Sequence, residues 1–376
     1  MRDDKLVTGA QQRAFDEWVD SLRAWQQDVG VDPDWIAQYP LTTKFADTIE
    51  PEITFGRFAG ERKWEHLSDV PNPEIRDELL RLIVFQADPE IRSVEQSRHL
   101  LDNAPTEHDR QRLLRHMAEE TRHGWQMGYL MVTHFGDEGR REARALLERR
   151  ASRGESLIGL FNLRLNWLEV FSWHNWGDRL GKYQLKMLAG SGFAPLARSI
   201  PPMLSEEAFH LLIGYQGMKR MVQGGRVPIE VQQRAINKIL GACYDGFGGE
   251  LSRHAERTYD WGIKAPYAGV ESAPPARLNE VACQAYRQEV DKIIQTMNRL
   301  LPPDGPKLYA TDPRFNRHKG PYKGQPYDPR GNLLSEEEWP RALPEMLPSP
   351  ADEALLRELL EDPGWMAPPR AGAPGE

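Results

Sequence analysis

Cysteine is scarce in this sequence, and long apolar runs are absent. The chain has 376 residues and two cysteines, Cys243 and Cys283, which stand 40 residues apart and form no Cys-x-x-Cys motif. This spacing does not fit a thiolate metal site or a disulfide framework, so we expect buried thiols in a reducing, cytoplasmic compartment. The absence of an apolar run of roughly 18 residues predicts that no helix spans a membrane. The start, Met1–Lys5, lacks the apolar core of a signal peptide.

The sequence also lacks the glycine-rich loops of nucleotide-binding domains. Neither Gly-x-Gly-x-x-Gly nor a Walker loop occurs, so we expect no flavin or nicotinamide module within the chain. The net charge is −8, which argues against general binding to nucleic acids because their phosphates repel an acidic surface. Any redox chemistry would therefore take its electrons from a separate protein.

What the sequence does contain is one short pattern in two copies, Glu120-Thr-Arg-His123 and Glu207-Ala-Phe-His210. Each copy places a carboxylate and an imidazole three residues apart. This spacing is close to one turn of an α-helix, so both side chains point the same way. One Glu-x-x-His is expected by chance about once among ten histidines. The surroundings of the two copies make the pair informative.

Each copy closes a symmetrical segment that is typical of an antiparallel helix hairpin. Glu90 lies 30 residues before Glu120, with the helix breaker Asp102–Thr106 halfway between them. Asp178 lies 29 residues before Glu207, again with a breaker rich in glycine and proline halfway. Residues equidistant from the turn of a helix hairpin face each other. Each lone acid should therefore face the Glu-x-x-His pair of its own hairpin.

Two such hairpins packed side by side bring four carboxylates and two imidazoles into one core. This is the arrangement of di-iron and di-manganese carboxylate bundles, and these donor types suit iron or manganese. The sequence therefore predicts a metal centre with six candidate ligands: Glu90, Glu120, His123, Asp178, Glu207 and His210.

Two other acids compete for these positions by spacing alone. Glu169 competes with Asp178 on the third predicted core helix, where His174 is also near. Glu95 competes with Glu90 on the first predicted core helix. The residue pattern by itself leaves both alternatives open.

Four further residues are predicted to support the ligands from outside. Glu119 and Glu206 each directly precede a ligand acid, and one helix position turns a side chain by roughly 100° away from the metal. We therefore expect these two acids in supporting or ion-paired roles. Gln86 and His116 are further candidates, because each lies one turn before a predicted ligand.

The hydrophobic spacing predicts an all-α fold. A helix over residues 11–30 should precede an irregular covering segment with a short strand. The core helices are predicted at Glu74–Leu101, Thr106–His134, Ser156–Leu188 and Leu196–Met221. Further helices are predicted at Ile229–Tyr244, Gly249–Trp261 and Arg277–Leu301. We divide the chain into a covering segment at 1–74, a helical domain at 75–301, and a long irregular tail, rich in Pro and Gly, at 302–376 that packs on the domain.

Segments along much of the chain carry a resemblance to a known family: Gln86–Leu100, Glu119–Trp125, Gly177–Leu185, Ser191–Arg198, Leu204–His210, Pro313–Arg317, Gln325–Pro329 and Trp365–Gly372. They resemble the oxygenase component of benzoyl-CoA 2,3-epoxidase and, more distantly, the catalytic subunit of phenylacetyl-CoA epoxidase. The likeness runs from about Phe55 to the C-terminus.

The resemblance implies a ferritin-like four-helix bundle that holds two iron ions. It assigns the six candidates above as iron ligands and favours Asp178 over Glu169. It also implies a monooxygenase that epoxidises the ring of an aromatic acyl-CoA, most directly benzoyl-CoA, with dioxygen. Electrons would come from NADPH through a separate flavin and iron–sulfur reductase. The candidates to bind the CoA phosphates are Arg92, Arg98, Lys182 and Arg198.

Three other functions stay open at this stage. One is a di-iron oxygenase that acts on a different arene or on an amine. Another is a ferritin-like protein that binds or stores iron without an organic substrate. The aromatic third helix and the long tail argue against storage, which needs a cage-forming exterior. The third is a purely structural bundle, and the two matched hairpins argue against it.

Overall fold

The computed structural model describes most of the chain, in five ranges: 7–32, 38–248, 253–267, 273–362 and 365–368. Three sequence predictions reach beyond these ranges. The start of the chain at Met1–Lys5, the first four residues of the helix predicted at Gly249–Trp261, and the end of the tail segment Trp365–Gly372 lie outside the described residues.

The described residues form an all-α fold, as predicted. Its helices are α1 (Gly9–Asp28), α2 (Pro73–Ser97), α3 (Glu107–His134), α4 (Gly136–Glu148), α5 (Trp167–Leu188), α6 (Ala194–Gly224), α7 (Ile229–Gly246), α8 (Arg253–Asp260), α9 (Leu278–Asn298), α10 (Trp339–Met346) and α11 (Pro350–Leu360). The core is a four-helix, ferritin-like bundle. The pair α2–α3 forms a first hairpin, α5–α6 forms a second, and α3 packs against α6 between them.

Local sequence sets the ends of the two hairpins. Asn72 caps α2 by accepting a hydrogen bond from the amide of Ile75, and proline follows at the first helical position. Thr106 caps α3 in the same way after the predicted breaker. α6 ends at Gly225, whose positive φ of 65° is the left-handed conformation that glycine adopts without strain. The first turn lies just before Thr106, and the second lies within residues 188–194, so both turns are where the sequence predicts them.

The third core helix was predicted to start too early. It begins at Trp167, not at Ser156, because Asn166 and Glu169 form a capping box there. The preceding stretch is held in an irregular path by side chains of α2. Asp88 accepts hydrogen bonds from the hydroxyl of Ser156 and from the amide of Leu157. The predicted helix failed because these partners lie far away in the sequence.

The covering segment closes one end of the second hairpin. Where a short strand was predicted, the described part of the segment forms only isolated bridges, Glu52 with Arg62 and Trp64 with Phe193. Tight turns at glycines of positive φ interrupt any longer pairing. The ammonium of Lys63 donates hydrogen bonds to the carbonyls of the α5–α6 turn at 3.1 and 2.7 Å. The segment therefore fixes the turn that sets the register of α5 and α6.

The described tail lies against the later helices. Arg317 is buried and donates to Asp245 of α7 at 2.7 Å. Arg234 of α7 forms a two-bonded ion pair with Asp352 of α11. Ser349 caps α11 and forms a capping box with Asp352. These contacts keep the tail on the outside of the bundle and away from the hairpin interface.

Candidate metal centre

The six predicted side chains meet between the two hairpins. Together with His116 they form two groups, with Glu90, Glu120, His123 and Glu207 in the first, and Asp178, His210 and His116 in the second. Within each group, one ligand-type atom from every residue lies within 4.8 Å of the others. All seven side chains are buried. Glu90 lies with the Glu120–His123 pair of its own hairpin and Asp178 lies with His210, whereas Glu207 joins the group of the first hairpin.

Glu207 lies between the two imidazoles. Its Oε1 is 3.6 Å from Nδ1 of His123, and its Oε2 is 3.4 Å from Nδ1 of His210. One carboxylate therefore offers an oxygen to each half of the site. A carboxylate placed in this way could serve as a ligand to a metal ion in either half of the site.

Glu120 also reaches both imidazoles. Its Oε1 is 4.0 Å from Nδ1 of His123 and 3.2 Å from Nδ1 of His210. Its other oxygen accepts a hydrogen bond of 2.7 Å from the hydroxyl of Ser93 on α2. This bond fixes the rotation of the carboxylate, so that the free oxygen points into the site.

The two lone acids lie at opposite ends of the site. Glu90 Oε2 is 3.1 Å from Nδ1 of His123, and Glu90 Oε1 accepts a hydrogen bond of 2.7 Å from Gln86. Asp178 Oδ2 is 2.8 Å from Nδ1 of His174. Each lone acid thus has one oxygen held by a neighbour four residues earlier on its own helix.

The two acids that competed with the lone acids as candidate ligands, Glu169 and Glu95, bind other partners. Glu169 caps its own helix and accepts a bond of 2.6 Å from the ammonium of Lys238. Glu95 accepts bonds from the indole of Trp25 and from the backbone amide of Ala151. Both acids point away from the two ligand groups, so the geometry favours Asp178 and Glu90 at the site.

Two outer acids cross between the hairpins. Glu119 of α3 lies 3.1 Å from Nε2 of His210 on α6, and Glu206 of α6 lies 2.9 Å from Nε2 of His123 on α3. Both imidazoles therefore have Nε2 held from outside and Nδ1 facing the centre. A carboxylate bound to the far nitrogen orients a histidine ligand and raises its basicity. These contacts match the supporting roles predicted for the two acids.

The outer acids are held in their charged form. Burial alone would raise the pKa of Glu206, but its hydrogen bonds and charge attraction with His123 and Arg122 hold that pKa well below its usual range. The pKa of Glu119 is lowered in the same way, against burial, by His210 and Arg115. The outside of the site therefore stays anionic at neutral pH.

The inner groups carry protons where the outer ones do not. Burial, followed by the negative charge of Glu90, raises the pKa of Glu120 to about 8. Burial also raises the pKa of Asp178 well above its usual range. Burial would lower the pKa of His123, but the charge of Glu90 and the bond to Glu206 raise it to about 9. In the protein alone, protons thus supply the positive charge that this cluster of acids requires.

The donor set fits transition-metal ions with oxygen and nitrogen ligands, such as iron or manganese. One buried nitrogen atom shows whether the site itself is arranged to bind such an ion. Nδ1 of His210 is buried and makes no hydrogen bond of normal geometry to any described residue, although two carboxylate oxygens lie 3.2 and 3.4 Å away. A buried nitrogen so placed is well suited to bind a cation that the same oxygens also bind.

Close helix packing in the second hairpin sets the distance between Asp178 and His210. Gly214, one turn after His210, lies against the backbone of α5, and a Cβ there would fall 2.2 Å from the amide nitrogen of Asn175. A Cβ at Gly217 would fall 2.0 Å from the ring of Phe171. Helices α5 and α6 therefore approach each other more closely than any residue larger than glycine at these two positions would allow.

Comparison with known proteins gives one informative result. No family model matches the chain. The chain is 29% identical to benzoyl-CoA oxygenase component B from Aromatoleum evansii, in an alignment of 445 residues that covers 96% of this chain and 93% of the relative. This similarity supports a relation between the chain and the benzoyl-CoA oxygenase family. It agrees with the resemblance found in the sequence and supports an oxygenase as the class of enzyme.

The benzoyl-CoA oxygenase relative covers nearly the whole chain, so the likeness includes both hairpins and the tail. The buried carboxylate and imidazole groups are the feature of the fold that could hold a metal ion. Within the described ranges, every helix is either too short or too polar to cross a bilayer.

Sequence reasoning missed the inner position of one residue and the role of another. His116, predicted as a supporting residue, belongs to the second ligand group. His174 contacts Asp178, although the sequence pattern indicated it only as a neighbour of a competing acid. Each histidine lies four residues before an acid of the site, on the same helix face. That spacing was the available signal.

Proposed function

We propose that this chain is a di-iron monooxygenase that epoxidises the ring of an aromatic acyl-CoA, most directly benzoyl-CoA. The observation that carries the proposal is the pair of buried carboxylate and imidazole groups between the hairpins. The name of the relative, an oxygenase component that acts on benzoyl-CoA, supports the substrate class. The word component in that name also supports a partner protein, and we assign to it the delivery of electrons from NADPH.

The ligand set we propose is Glu90, Glu120, His123, Asp178, Glu207 and His210. A reduced pair of iron ions would supply two electrons to dioxygen, and one oxygen atom would enter the ring while the other takes up two protons from solvent and leaves as water. Glu207 and Glu120 are placed to span the two ions, since each reaches both imidazoles. Glu119 and Glu206 keep Nδ1 of both imidazoles directed inwards.

Among the four basic candidates for the CoA phosphates, three are held by contacts within the fold, and none of these three lines the arginine-rich cavity that includes Arg98. Arg92 is completely buried and donates to backbone carbonyls of the α4 end. Lys182 is bound to Glu289, and Arg198 is bound to Glu65. These pairs fix helices to one another, so we do not propose them as substrate contacts.

Arg98, the fourth candidate, donates hydrogen bonds to the carbonyl of Gly30 and to Asp102 at the edge of a cavity of about 730 Å³. Arg150, Arg153 and Arg164 also line this cavity. Guanidinium groups bind phosphate oxygens in pairs of hydrogen bonds. We propose that the phosphates of CoA bind here.

The position of this cavity relative to the metal centre supports the proposal. Gln96 lines the cavity and lies one turn beyond Ser93, whose hydroxyl binds Glu120. The cavity and the ligand groups therefore share helix α2, with one helical turn between these two residues.

A single turnover tests the function. The protein is loaded with ferrous iron without air, mixed with benzoyl-CoA and ¹⁸O-labelled dioxygen, and the thioester is examined by mass spectrometry. One labelled oxygen atom in the ring is the expected result. Oxidation of the iron without a labelled product would retain the metal site and reject benzoyl-CoA. The variant Glu120→Ala, which removes a proposed ligand, should give no labelled product.

The phosphate site has its own test. The double variant Arg153→Ser/Arg164→Ser should raise KM for benzoyl-CoA by about tenfold with little change in kcat, since it removes binding contacts remote from the reacting ring. Arg144→Ser, on the exposed face of α4, is the matched control and should leave KM unchanged. An equal KM in all three proteins would reject this cavity.

A further inference from the structure

His116 is a completely buried imidazole whose contacts are unusual. It lies on α3 one turn before Glu120 and has no exposed surface. Neither ring nitrogen forms a hydrogen bond with any described residue. Buried polar atoms in folded proteins nearly always have a partner, because leaving one unpaired costs about 1–3 kcal/mol. The position therefore calls for a physical explanation.

The distances around Nε2 of His116 are too long for hydrogen bonds but fit shared coordination. Nε2 is 3.6 Å from Oε1 of Glu120 and 3.8 Å from Oδ2 of Asp178. Two atoms that each lie about 2.0–2.2 Å from one transition-metal ion are separated by roughly 3–4.4 Å. Both separations fall in that range.

The neighbouring imidazoles support the same conclusion. The ring of His116 lies between those of His174 and His210, with centroid distances of 4.1 and 4.3 Å. His174 already contacts Asp178 through Nδ1 at 2.8 Å and therefore positions that acid from outside. His116 has no such bond, and only its nitrogen joins Asp178 and His210 in a group of potential ligand atoms.

We propose that His116 is a seventh protein ligand, and that its Nε2 binds the ion held by Asp178 and His210. This inference rests on the proposed function only in assuming that the site holds two metal ions. The two ions then differ. The one next to Glu90 would have a single imidazole, from His123, whereas the other would have two, from His210 and His116.

Cobalt(II) provides a direct count of the histidine ligands. Each imidazole bound to paramagnetic cobalt gives one strongly shifted N–H signal in the proton NMR spectrum, which is recognised by its loss in D₂O. The protein loaded with two equivalents of Co²⁺ should show three such signals, from His123, His210 and His116. His116→Gln should show two, and should bind the second cobalt ion at least tenfold more weakly.

His174→Gln is the matched control, because it removes the adjacent imidazole without removing a proposed ligand, and it should keep three signals. Two signals in the unmodified protein, with two cobalt ions bound, would overturn the seventh ligand and leave the proposed function standing. Failure to bind two cobalt ions would overturn both. The count in the unmodified protein decides the matter even if a variant does not fold.

Discussion

The two hairpins are built to one plan but differ where the lone acid lies. In the first hairpin Glu90 is steadied by the amide of Gln86, and in the second Asp178 is steadied by the imidazole of His174. Aspartate is shorter than glutamate by one methylene group. The second hairpin must therefore bring its helices closer together to place the same carboxylate at the same centre.

The packing of the two hairpins shows this difference. In the second hairpin, a Cβ at Gly214 would meet the backbone of α5, which cannot yield. In the first hairpin, a Cβ at Gly124 would meet the side-chain end of Ile91 at 2.4 Å, which can rotate away. The first hairpin uses a longer acid and a flexible contact, and the second uses a shorter acid and a rigid contact. The position of a carboxylate in the site can therefore be set either by the length of its side chain or by the distance between the two helices.

The largest effect is expected from removing an acid that lies near the imidazoles of both hairpins. Glu120→Ala removes an acid that reaches both imidazoles, so we expect loss of tight binding of both iron ions. Iron per chain, measured after gel filtration of the ferrous protein, should fall from two to near zero. Glu107→Ala, an exposed acid on the same helix, is the control and should keep two. Retention of two ions by Glu120→Ala would show that the ligand set is wrong.

Metal removal should produce the next largest effect, with a defined pH dependence. In the protein alone the pKa of Glu120 is about 8 and that of His123 about 9, both above their values of 4.5 and 6.5 in an unfolded chain. The folded state therefore holds these protons more tightly, and its stability falls as pH rises from about 5 through 9. Bound metal displaces the protons.

Melting temperatures with and without Mn²⁺ measure this effect. The melting temperature of the metal-free protein should fall between pH 6 and pH 9, and the increase caused by Mn²⁺ should grow over the same range. An increase that is constant with pH would argue against displacement of protons from the inner groups.

A third prediction concerns the helix spacing in the second hairpin. Gly214→Ala should lower the free energy of unfolding by about 1–3 kcal/mol, because the added methyl group forces α5 and α6 apart. Gly181→Ala is the control within α5, where nothing lies within 4 Å of the new Cβ, and should be neutral or stabilising by up to about 1 kcal/mol. Urea unfolding of the two variants measures the contrast. Equal stability would mean that close approach does not define this hairpin.

The smallest expected effects distinguish the affinities of the two proposed metal sites. Glu206→Gln and Glu119→Gln each weaken the outer support of one imidazole, so each should reduce affinity for one ion by about 10–100-fold. Calorimetric titration with Mn²⁺ should show one weakened site in either variant. Both sites weakened equally in both variants would mean that the outer acids act on the fold as a whole and not on separate imidazoles.

The sequence was sufficient to predict the parts of this fold that depend on local signals. Helical spacing placed the two Glu-x-x-His pairs, and the breakers between the lone acids and these pairs located the hairpin turns. The early start assigned to the third core helix shows the limit. In the segment just before this helix, the apolar residues Leu160 and Leu163 have the spacing of a helix. Their carbonyls, however, accept hydrogen bonds from the side-chain amide of Gln96, over sixty residues away in the sequence. Contacts of that range leave no trace in local spacing.

The position of His116 could not be predicted for a related reason. Its spacing from Glu120 indicates a shared helix face, which fits a supporting role as well as an inner one. The deciding fact is that no described residue completes a hydrogen bond with its ring. That fact depends on α3, α5 and α6 together.

The crossed outer acids have a consequence for how the protein folds. Because Glu119 orients His210 and Glu206 orients His123, neither hairpin alone can present an imidazole held from both sides. An isolated hairpin, formed early in folding, would bind metal only weakly and through side chains free to turn. High affinity would therefore require both hairpins to have docked. On the proposed ligand set, tight metal binding would then belong to the last stage of folding and would mark the chains that have completed it.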